Sequence, residues 1–218
     1  MKKTRFDSVF EANRRIYTEN LVPGTQVYGE RIWREGGKEY REWDCFKSKL
    51  GAAMMLGIRE TGIMRGAKVL YLGASTGTTI SHVSDIVKDG VAFGVEFAPR
   101  MMRDLVFLCQ ERKNIIPIMA DAFHPERYLH LVPQTDAVFQ DIAQKNQEEI
   151  FRKNCQLYLK NGGRGILALK ARSVDVTKKP RDIFQETEKK LREWARIIDI
   201  RDIGDYEKDH CVFVIEIR

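Results

Sequence analysis

The stretch 69–79 constrains the fold more than any other part of the chain. It opens with the short apolar run 69–72, which is typical of a strand buried on both faces of a sheet. Small residues bounded by Gly73 and Gly77 follow, and apolar residues then recur at helical spacing at positions 80, 83, 86 and 87. Strand, glycine turn and helix in this order predict a ligand site, because glycines let a ligand approach the backbone and the first N–H groups of the helix face it.

The glycine turn alone leaves several interpretations open. It lacks the G-x-G-x-x-G pattern of dinucleotide-binding proteins and the Gly-Lys-Ser/Thr ending of a P-loop. It does match G-x-S-x-G, the nucleophile elbow of hydrolases, and Asp141 and His210 follow Ser75 in the order expected of such an enzyme. A turn with only a structural role fits the same residues.

Length and composition indicate an ordinary globular protein. The 218 residues suffice for one or two domains, and no apolar run approaches the roughly 18 residues of a membrane span. The first residues lack the apolar core of a signal peptide, so we expect a cytoplasmic protein. The net charge of +6 permits a polyanionic partner. The cysteines form no C-x-x-C pair and are predicted to be reduced core residues without a metal: Cys45, Cys109, Cys155 and Cys211.

Residues 1–55 are predicted to form a small β-rich domain. Apolar and aromatic residues occur there in short runs separated by turn residues, and Glu35-Gly36-Gly37-Lys38 is predicted to be a tight hairpin connection. A helix is predicted to begin near Asp44. Its apolar face would carry Leu50, Met54 and Ile58.

Residues 56–218, the second predicted domain, alternate between strands and helices. The predicted strands are 69–72, 91–96, 115–119, 136–141, 164–170, a segment near 197–203, and 211–217. The predicted helices are 80–87, 100–112, 148–160 and 180–195. This alternation predicts an α/β fold with a mostly parallel sheet and helices on both of its faces.

Charged residues stand at the carboxyl ends of four successive predicted strands: Glu96, Asp121, Asp141 and Lys170. Ligands of open parallel sheets bind beyond these ends. Glu96 lies 19 positions after Gly77, close to the spacing at which an acidic residue accepts hydrogen bonds from ribose hydroxyls. Asp121 is placed to accept from an adenine amino group. These positions favour a nucleoside-containing cofactor over a hydrolase, which would also need an oxyanion-hole segment before the turn.

Several short segments together resemble those of one known family. They are LGASTGTT (72–79), GVEFA (94–98), Asp121-Ala122, QDIAQ (140–144) and LKARS (169–173), with SKL (48–50) and Asp209-His210. In these segments the chain resembles fibrillarin, and most closely the archaeal fibrillarin-like RNA 2′-O-methyltransferases, because it lacks the Gly/Arg-rich N-terminal extension of the eukaryotic relatives. The resemblance covers essentially the whole chain. It implies a Rossmann-like class I methyltransferase fold, with a mostly parallel seven-stranded sheet flanked by helices and a small N-terminal β-rich domain.

The resemblance implies S-adenosylmethionine as the cofactor. Helix-start N–H groups and nearby carboxylates suit a molecule that carries a sulfonium cation and a carboxylate beside an ammonium group. By motif, Thr78 and Thr79 would border its methionine end, Glu96 and Phe97 would hold its ribose and base, and Asp121 and Ala122 its adenine edge. The complete implied set is Gly73, Ala74, Ser75, Gly77, Thr78, Thr79, Glu96, Phe97, Asp121, Ala122, Asp141, Ile142, Ala143 and Gln144.

The resemblance also implies a catalytic tetrad of Lys49, Asp141, Lys170 and His210. Methyl transfer to a ribose 2′-hydroxyl is an in-line displacement, and the hydroxyl needs a base or a positive charge beside the emerging alkoxide. The hypothesis is that Lys170 orients or deprotonates the hydroxyl and that Asp141 holds Lys170 and favours the cofactor's positive charge. His210 would position the ribose or relay the proton. Taken singly, Lys49 and Lys170 also fit surface lysines, and His210 a histidine at the edge of the core.

The RNA side of the expectation rests on a basic loop and on the resemblance. Arg172, Lys178, Lys179 and Arg181 follow the strand that ends at Lys170, where they are predicted to contact phosphates without reading sequence. The resemblance implies that a box C/D guide RNA selects sites in pre-rRNA and tRNA. It also implies recruitment by a Nop-family scaffold protein and a kink-turn-binding ribosomal-type protein in an archaeal cytoplasm. A small-molecule or base-directed methyltransferase is the alternative.

Overall fold

The first 43 residues form a five-stranded antiparallel sheet in the computed structural model, which describes residues 1–217. The strands are β1 (Lys2–Lys3), β2 (Val9–Ala12), β3 (Arg15–Glu19), β4 (Ile32–Glu35) and β5 (Lys38–Trp43), arranged as β1-β2-β3-β5-β4. The predicted hairpin is confirmed, because Glu35 pairs with Lys38 and the two glycines between them take positive φ. A second tight turn, at Asn13 and Arg14, was not predicted because arginine is not a typical turn residue.

The rest of the chain builds a mostly parallel seven-stranded sheet, which confirms the predicted fold class. Its strands are β6 (Lys68–Leu72), β7 (Val91–Glu96), β8 (Ile115–Met119), β9 (Thr135–Gln140), β10 (Leu159–Lys170), β11 (Ala195–Asp202) and β12 (His210–Ile217). The order across the sheet is β11-β12-β10-β9-β6-β7-β8, and β12 is antiparallel to both of its neighbours. The chain order reverses between β6 and β9, which is where open α/β sheets bind ligands.

Helices cover both faces of this sheet. They are α1 (Lys49–Met55), α2 (Thr78–Ile86), α3 (Pro99–Glu111), α4 (Gln147–Tyr158), α5 (Ala171–Val174) and α6 (Pro180–Trp194), with a 3₁₀ turn at Pro125–Tyr128. Along β6, Val69 and Tyr71 pack in the cluster that contains α1, α2 and α3, whereas Leu70 and Leu72 pack in the cluster that contains α4 and α6. This alternation is why the strand is apolar at every position from Val69 to Leu72. None of the helices within residues 1–217 combines the length and the hydropathy required to cross a bilayer.

The start of α1 differs from the prediction. The helix begins at Lys49 and not near Asp44, because the Asp44 carboxylate accepts from the N–H of Phe46 (2.9 Å) in a local turn. Ser48 then caps the helix by accepting from the N–H of Gly51 (3.2 Å). The helix therefore begins with a lysine that the cap holds at a fixed place.

The end of α4 also differs from the prediction. The helix ends at Tyr158 because Leu159 is already extended and pairs with Thr135 of β9. The glycines that were expected to end the helix instead lie in an irregular part of β10, between Leu159 and Arg164. The segment α5 and the 3₁₀ turn were not predicted, since both are too short to show a hydrophobic period.

A buried cluster of charges joins the five-stranded sheet to α2. Asp85 accepts through one carboxylate oxygen from Arg41 (2.8 Å) and through the other from Arg112 (2.5 Å). Arg41 also donates to Glu30 (2.5 Å), and all of these side chains are fully buried. Burial alone would raise the pKa of Glu30, but Arg41 and backbone N–H groups hold that pKa below its usual value. Two cations and two carboxylates thus fix the small sheet on the large one; the division of the chain into domains at residue 55 stays a prediction.

His82 lies in the same interface, with its ring stacked on Trp43. The Thr18 hydroxyl donates to the Asp85 carboxylate (2.7 Å), so it accepts from Nδ1 of His82 (2.7 Å). Nε2 of the neutral ring is then an acceptor for the Tyr28 hydroxyl (2.7 Å), whose single hydrogen is shared with the carbonyl of Glu42 (3.0 Å). Burial, followed by the charges of two nearby guanidinium groups, lowers the pKa of His82 well below its ordinary value. The ring is therefore neutral in the folded protein.

This neutral histidine predicts acid sensitivity. His82 becomes protonated below about pH 6.5 in the unfolded chain but stays neutral in the folded protein. The free energy of unfolding therefore decreases as the pH is lowered, by up to about 1.4 kcal/mol per pH unit for this group. Between about pH 7.5 and about pH 5.5, we expect the free energy of unfolding of His82→Gln to fall by roughly 1 kcal/mol less than that of the parent protein. Urea unfolding at the two pH values measures this difference. His130→Gln, at an exposed position, should keep the parental slope. An unchanged slope in His82→Gln would contradict the expectation.

Candidate active site

A cleft opens at the carboxyl ends of the central strands, where the strand order reverses. It consists of two adjoining cavities of about 400 Å³ and 210 Å³. We call the larger one the lysine pocket, because Lys47, Lys49 and Lys170 line it, and the smaller one the acidic pocket, because Glu96 and Asp121 line it. The two share a wall made of Gly73, Ser75, Asp141, Ile142 and Ala143. An elongated ligand can therefore occupy both.

The glycine turn forms this wall because two strands approach each other there closely. Gly73 has a φ of 85°, and a Cβ built on it would overlap the backbone oxygen of Asp141 and lie 2.8 Å from a methyl carbon of Ile142. The N–H of Asp141 in turn donates to the carbonyl of Leu72 (2.9 Å). Only a hydrogen atom fits at position 73, and the contact sets Asp141 at the junction of the two pockets.

Ser75 acts through its backbone, not as a nucleophile. Its N–H donates to Glu96 (2.8 Å), and within residues 1–217 its hydroxyl makes no hydrogen bond with His210. The hydrolase interpretation therefore finds no support in the geometry. Glu96 also accepts from the N–H groups of Phe97 (2.9 Å) and Ala98 (2.8 Å), which orients its carboxylate at the mouth of the acidic pocket. The ring of Phe97 is 64% exposed beside it.

The cleft contains thirteen of the fourteen predicted cofactor residues. The exception is Gly77, which is buried at the N-cap of α2 with a φ of 104°. Its N–H closes the turn by donating to the carbonyl of Ala74 (3.1 Å). Asp121 lines the acidic pocket and accepts from the N–H of Phe123 (2.9 Å). Within the described part of the chain, no group of three or more His, Cys, Asp or Glu side chains could hold a metal ion.

All four residues of the predicted tetrad line the lysine pocket. Nζ of Lys49 lies 3.0 Å and 3.1 Å from the two carboxylate oxygens of Asp141, and both side chains are about four-fifths buried. This differs from the hypothesis that Asp141 holds Lys170. The carboxylate pairs with Lys49, and Lys170 has no carboxylate within 4.0 Å among residues 1–217. The charge of Lys170 is therefore left for a ligand.

His210 faces Lys170 directly across the pair of strands β10 and β12. Its Nδ1 lies 2.7 Å from the carbonyl oxygen of Lys208, and because a carbonyl only accepts, Nδ1 carries the hydrogen. Nε2 is then an acceptor, and it is buried without a partner in the part of the chain that the structure describes. Burial lowers the pKa of His210, and the charge of Lys49 contributes in the same direction. The site thus offers a neutral imidazole with an unused lone pair.

The four residues predicted to contact RNA fall into two classes. Arg172 donates to the Asp209 carboxylate and to the carbonyl of Val176, both at 3.0 Å, and Lys178 is paired with Glu186 at 2.7 Å. Lys179 and Arg181 are exposed at the start of α6, with no carboxylate within 4.0 Å in residues 1–217. The last two are the better placed to meet a phosphate.

Sequence reasoning missed two charged residues of the lysine pocket, Lys47 and Glu207. Neither belongs to a segment that carries the family resemblance. Lys47 lies over the ring of Tyr28 with its Nζ 5.3 Å from the centroid, and Glu207 lies on the turn before β12. Because both follow from how two loops fold beside the cleft, no local pattern could have indicated them.

Comparisons with known proteins agree with the segments noted above. The Fibrillarin family model matches residues 1–218. A fibrillarin-like rRNA/tRNA 2′-O-methyltransferase of Pyrococcus horikoshii is 48% identical over 221 residues, which cover 99% of this chain and 97% of that protein. Family membership therefore rests on nearly the full length of both chains.

Solved structures match equally well. A Methanococcus jannaschii fibrillarin pre-rRNA processing protein superposes with a TM-score of 0.96 at 45% identity, covering 100% of this chain and 97% of that one. Aeropyrum pernix fibrillarin with natively bound S-adenosyl-L-methionine gives a TM-score of 0.89 at 42% identity, covering 98% and 96%. A fibrillarin/Nop5p complex gives 0.91 at 34% identity, covering 99% and 100%.

The packing at Gly73 predicts a large stability loss on substitution. In Gly73→Ala, residue 73 keeps a left-handed conformation and its methyl group meets the backbone of Asp141, directly after β9. We therefore expect a loss of about 1 kcal/mol for the conformation and about 1–3 kcal/mol more for the overlap. Gly36→Ala is the matched control, because Gly36 has a φ of 59° and nothing within 4 Å of an added Cβ. It should show the conformational cost only. Urea unfolding of the two variants measures the difference, and equal losses would show that the strand contact is not tight.

Proposed function

The chain belongs to the fibrillarin family, and we propose that it is the catalytic subunit of a box C/D ribonucleoprotein, in which it methylates ribose 2′-hydroxyls of rRNA and tRNA with S-adenosylmethionine as the methyl donor. One observation carries the proposal. A cavity with nucleoside-binding chemistry opens directly into a second cavity that holds two lysines, a carboxylate and a neutral histidine. Such an arrangement can align a nucleoside-linked donor with a hydroxyl acceptor.

The cofactor is S-adenosylmethionine, and the residues present fit it. Glu96 is oriented by backbone N–H groups to accept from ribose hydroxyls, and the exposed ring of Phe97 can cover the base. Asp121 offers an acceptor for the adenine amino group. Gly73 and Asp141 belong to the wall shared with the lysine pocket, where Thr78 lines the end assigned to the methionine group. When bound, the cofactor supplies an electrophilic methyl group on a sulfonium.

Activation of the 2′-hydroxyl is assigned to Lys170 and His210. Nε2 of His210 has the lone pair to accept the hydroxyl hydrogen, and the ammonium of Lys170, which lines the same pocket, would stabilise negative charge on the oxygen. Nε2 would take the proton from the hydroxyl, whose oxygen would replace the sulfonium sulfur on the methyl carbon as the carbon–sulfur bond breaks, and would then release that proton to water. Asp141 would face the cofactor's positive charge, with Lys49 holding the carboxylate in a single orientation.

Target selection belongs to the partners. A Nop-family protein is one of them, since a fibrillarin of the same fold is seen in a complex with Nop5p. We propose that a box C/D guide RNA pairs with the target and that a kink-turn-binding protein completes the particle in the archaeal cytoplasm. Lys179 and Arg181 would contact phosphates of the bound RNA, which fixes its position without reading its sequence.

Removal of one 2′-oxygen from the target RNA tests whether the methyl group is transferred to that oxygen. In the reconstituted particle with guide RNA, we expect labelled methyl from S-adenosylmethionine to enter a matched target RNA. The same RNA with one 2′-deoxy sugar at the target position should take up none. Equal label in both RNAs would place the methyl on a base, and no label in either, with cofactor binding intact, would point to a small-molecule substrate.

The assignment of Lys170 predicts a selective loss of rate. Lys170→Ala should lower kcat by about 10²–10⁴-fold, the usual effect of removing a group that assists proton transfer or stabilises an oxyanion. The affinity for S-adenosylmethionine, measured by titration calorimetry, should change little because no cofactor contact is removed. Lys189→Ala, an exposed position on α6, serves as the control and should keep the parental rate. A Lys170→Ala enzyme with near-normal turnover would remove Lys170 from the mechanism.

A further inference from the structure

Gln147, the first residue of α4, forms hydrogen bonds with both backbone polar groups of Lys170 through its side-chain amide. Its side-chain oxygen accepts from the N–H of Lys170 (3.0 Å), and its side-chain nitrogen donates to the carbonyl of Lys170 (3.1 Å). Gln147 is fully buried and lines neither pocket of the cleft. We propose that Gln147 is a positioning residue for methyl transfer, acting through Lys170; the inference rests on the proposed function.

Gln147 takes the place of β9, which no longer pairs with the last residues of β10. β10 pairs with β9 only as far as Leu167, opposite Gln140. Asp141 follows Gln140 and donates its N–H to the carbonyl of Leu72 in β6, the neighbour of β9 on the side opposite β10. Within residues 1–217, no strand therefore pairs with the last residues of β10 on this edge. The amide of Gln147 gives Lys170 the donor and the acceptor that a neighbouring strand would have supplied.

A second buried amide fixes Gln147 to the end of β9. Nε2 of Gln140 donates to the backbone carbonyl of Gln147 (2.6 Å), and Gln140 is also fully buried. Gln140 immediately precedes Asp141. A chain of hydrogen bonds therefore runs from the strand end that bears Asp141, through both glutamines, to the strand end that bears Lys170. It sets the separation of Asp141 and Lys170 at the end of the sheet where β9 and β10 are no longer paired.

The two hydrogen bonds from Gln147 also determine which kind of antiparallel pair Lys170 forms with His210. Because both backbone polar groups of Lys170 point to Gln147, its pair with His210 is the kind without direct hydrogen bonds, and Ala171 instead donates to the carbonyl of Asp209 (3.0 Å). Such pairs bring the opposed Cα atoms to about 4.5 Å, closer than hydrogen-bonded pairs. The pairing thereby fixes the backbone spacing of two residues that both line the lysine pocket.

Only an amide can fill both roles at position 147. Gln147→Met keeps the length and approximate volume but removes the donor and the acceptor. Gln147→Glu keeps the shape, and its carboxyl group can donate to the Lys170 carbonyl only while it is protonated. When ionised, that group presents an oxygen to the carbonyl and repels it. Burial raises the pKa of such a carboxyl group, so its protonated form is favoured as the pH falls.

The experiment compares these variants in the reconstituted guide-RNA particle. We expect Gln147→Met to lower kcat about tenfold to a hundredfold, because small displacements of a catalytic group are costly, with the Kd for S-adenosylmethionine unchanged. For Gln147→Glu, the ratio of its kcat to that of the parent protein should rise as the pH is lowered. Gln156→Met and Gln156→Glu, at an exposed position of the same helix, are the controls and should give ratios near one at every pH.

The outcomes separate this inference from the function on which it rests. If the parent protein transfers methyl to the target RNA and not to its 2′-deoxy counterpart, while Gln147→Met keeps its kcat within about twofold, the inference alone is overturned. A pH-independent ratio for Gln147→Glu would overturn it as well, and this readout decides if Gln147→Met does not fold. Absence of transfer to ribose by the parent protein would overturn the proposed function and the inference together.

Discussion

The close contact between the ends of β6 and β9 is the constraint on which the site depends. At Gly73 the chain turns against the peptide of Asp141, and nothing larger than a hydrogen atom fits between them. This contact lets the Leu72 carbonyl accept from Asp141 and brings the carboxylate to the wall shared by the two pockets. Because β9 is drawn toward β6 there, it leaves β10, and the gap is closed by buried amides in place of a strand.

The five-stranded sheet is connected to this chemistry through charge. Lys49 reaches Asp141 from α1, which follows directly after β5. The same sheet is fixed to α2 by the buried ion pairs of Arg41 and Asp85, where loss of either partner would leave a buried charge uncompensated. One face of α2 thus carries the anchor of the N-terminal region, and the start of α2 borders the cleft. The small sheet supports a residue of the site and is not an accessory to the fold.

The fold and the position of the cleft could be predicted from sequence because they depend on local signals. The apolar strand before Gly73 and the acid after the next strand are visible within about 20 residues, the spacing expected of a nucleotide site. The ion pair of Lys49 with Asp141 spans 92 residues and depends on how α1 docks, which leaves no periodic trace. The same is true of Arg172, whose partner Asp209 becomes its neighbour only because β12 runs antiparallel beside β10.

The arrangement of charge explains why Lys49 and His210 do not oppose a cationic cofactor. Asp141 cancels the charge of Lys49 at 3.0 Å, and burial keeps His210 neutral. Lys170 is then the member of the tetrad whose charge is not compensated by a carboxylate within residues 1–217. Lys170 and His210 line the same pocket, where the alkoxide would form. A fixed cation at this place stabilises the transition state more than the ground state, since the hydroxyl oxygen gains negative charge only as its proton leaves.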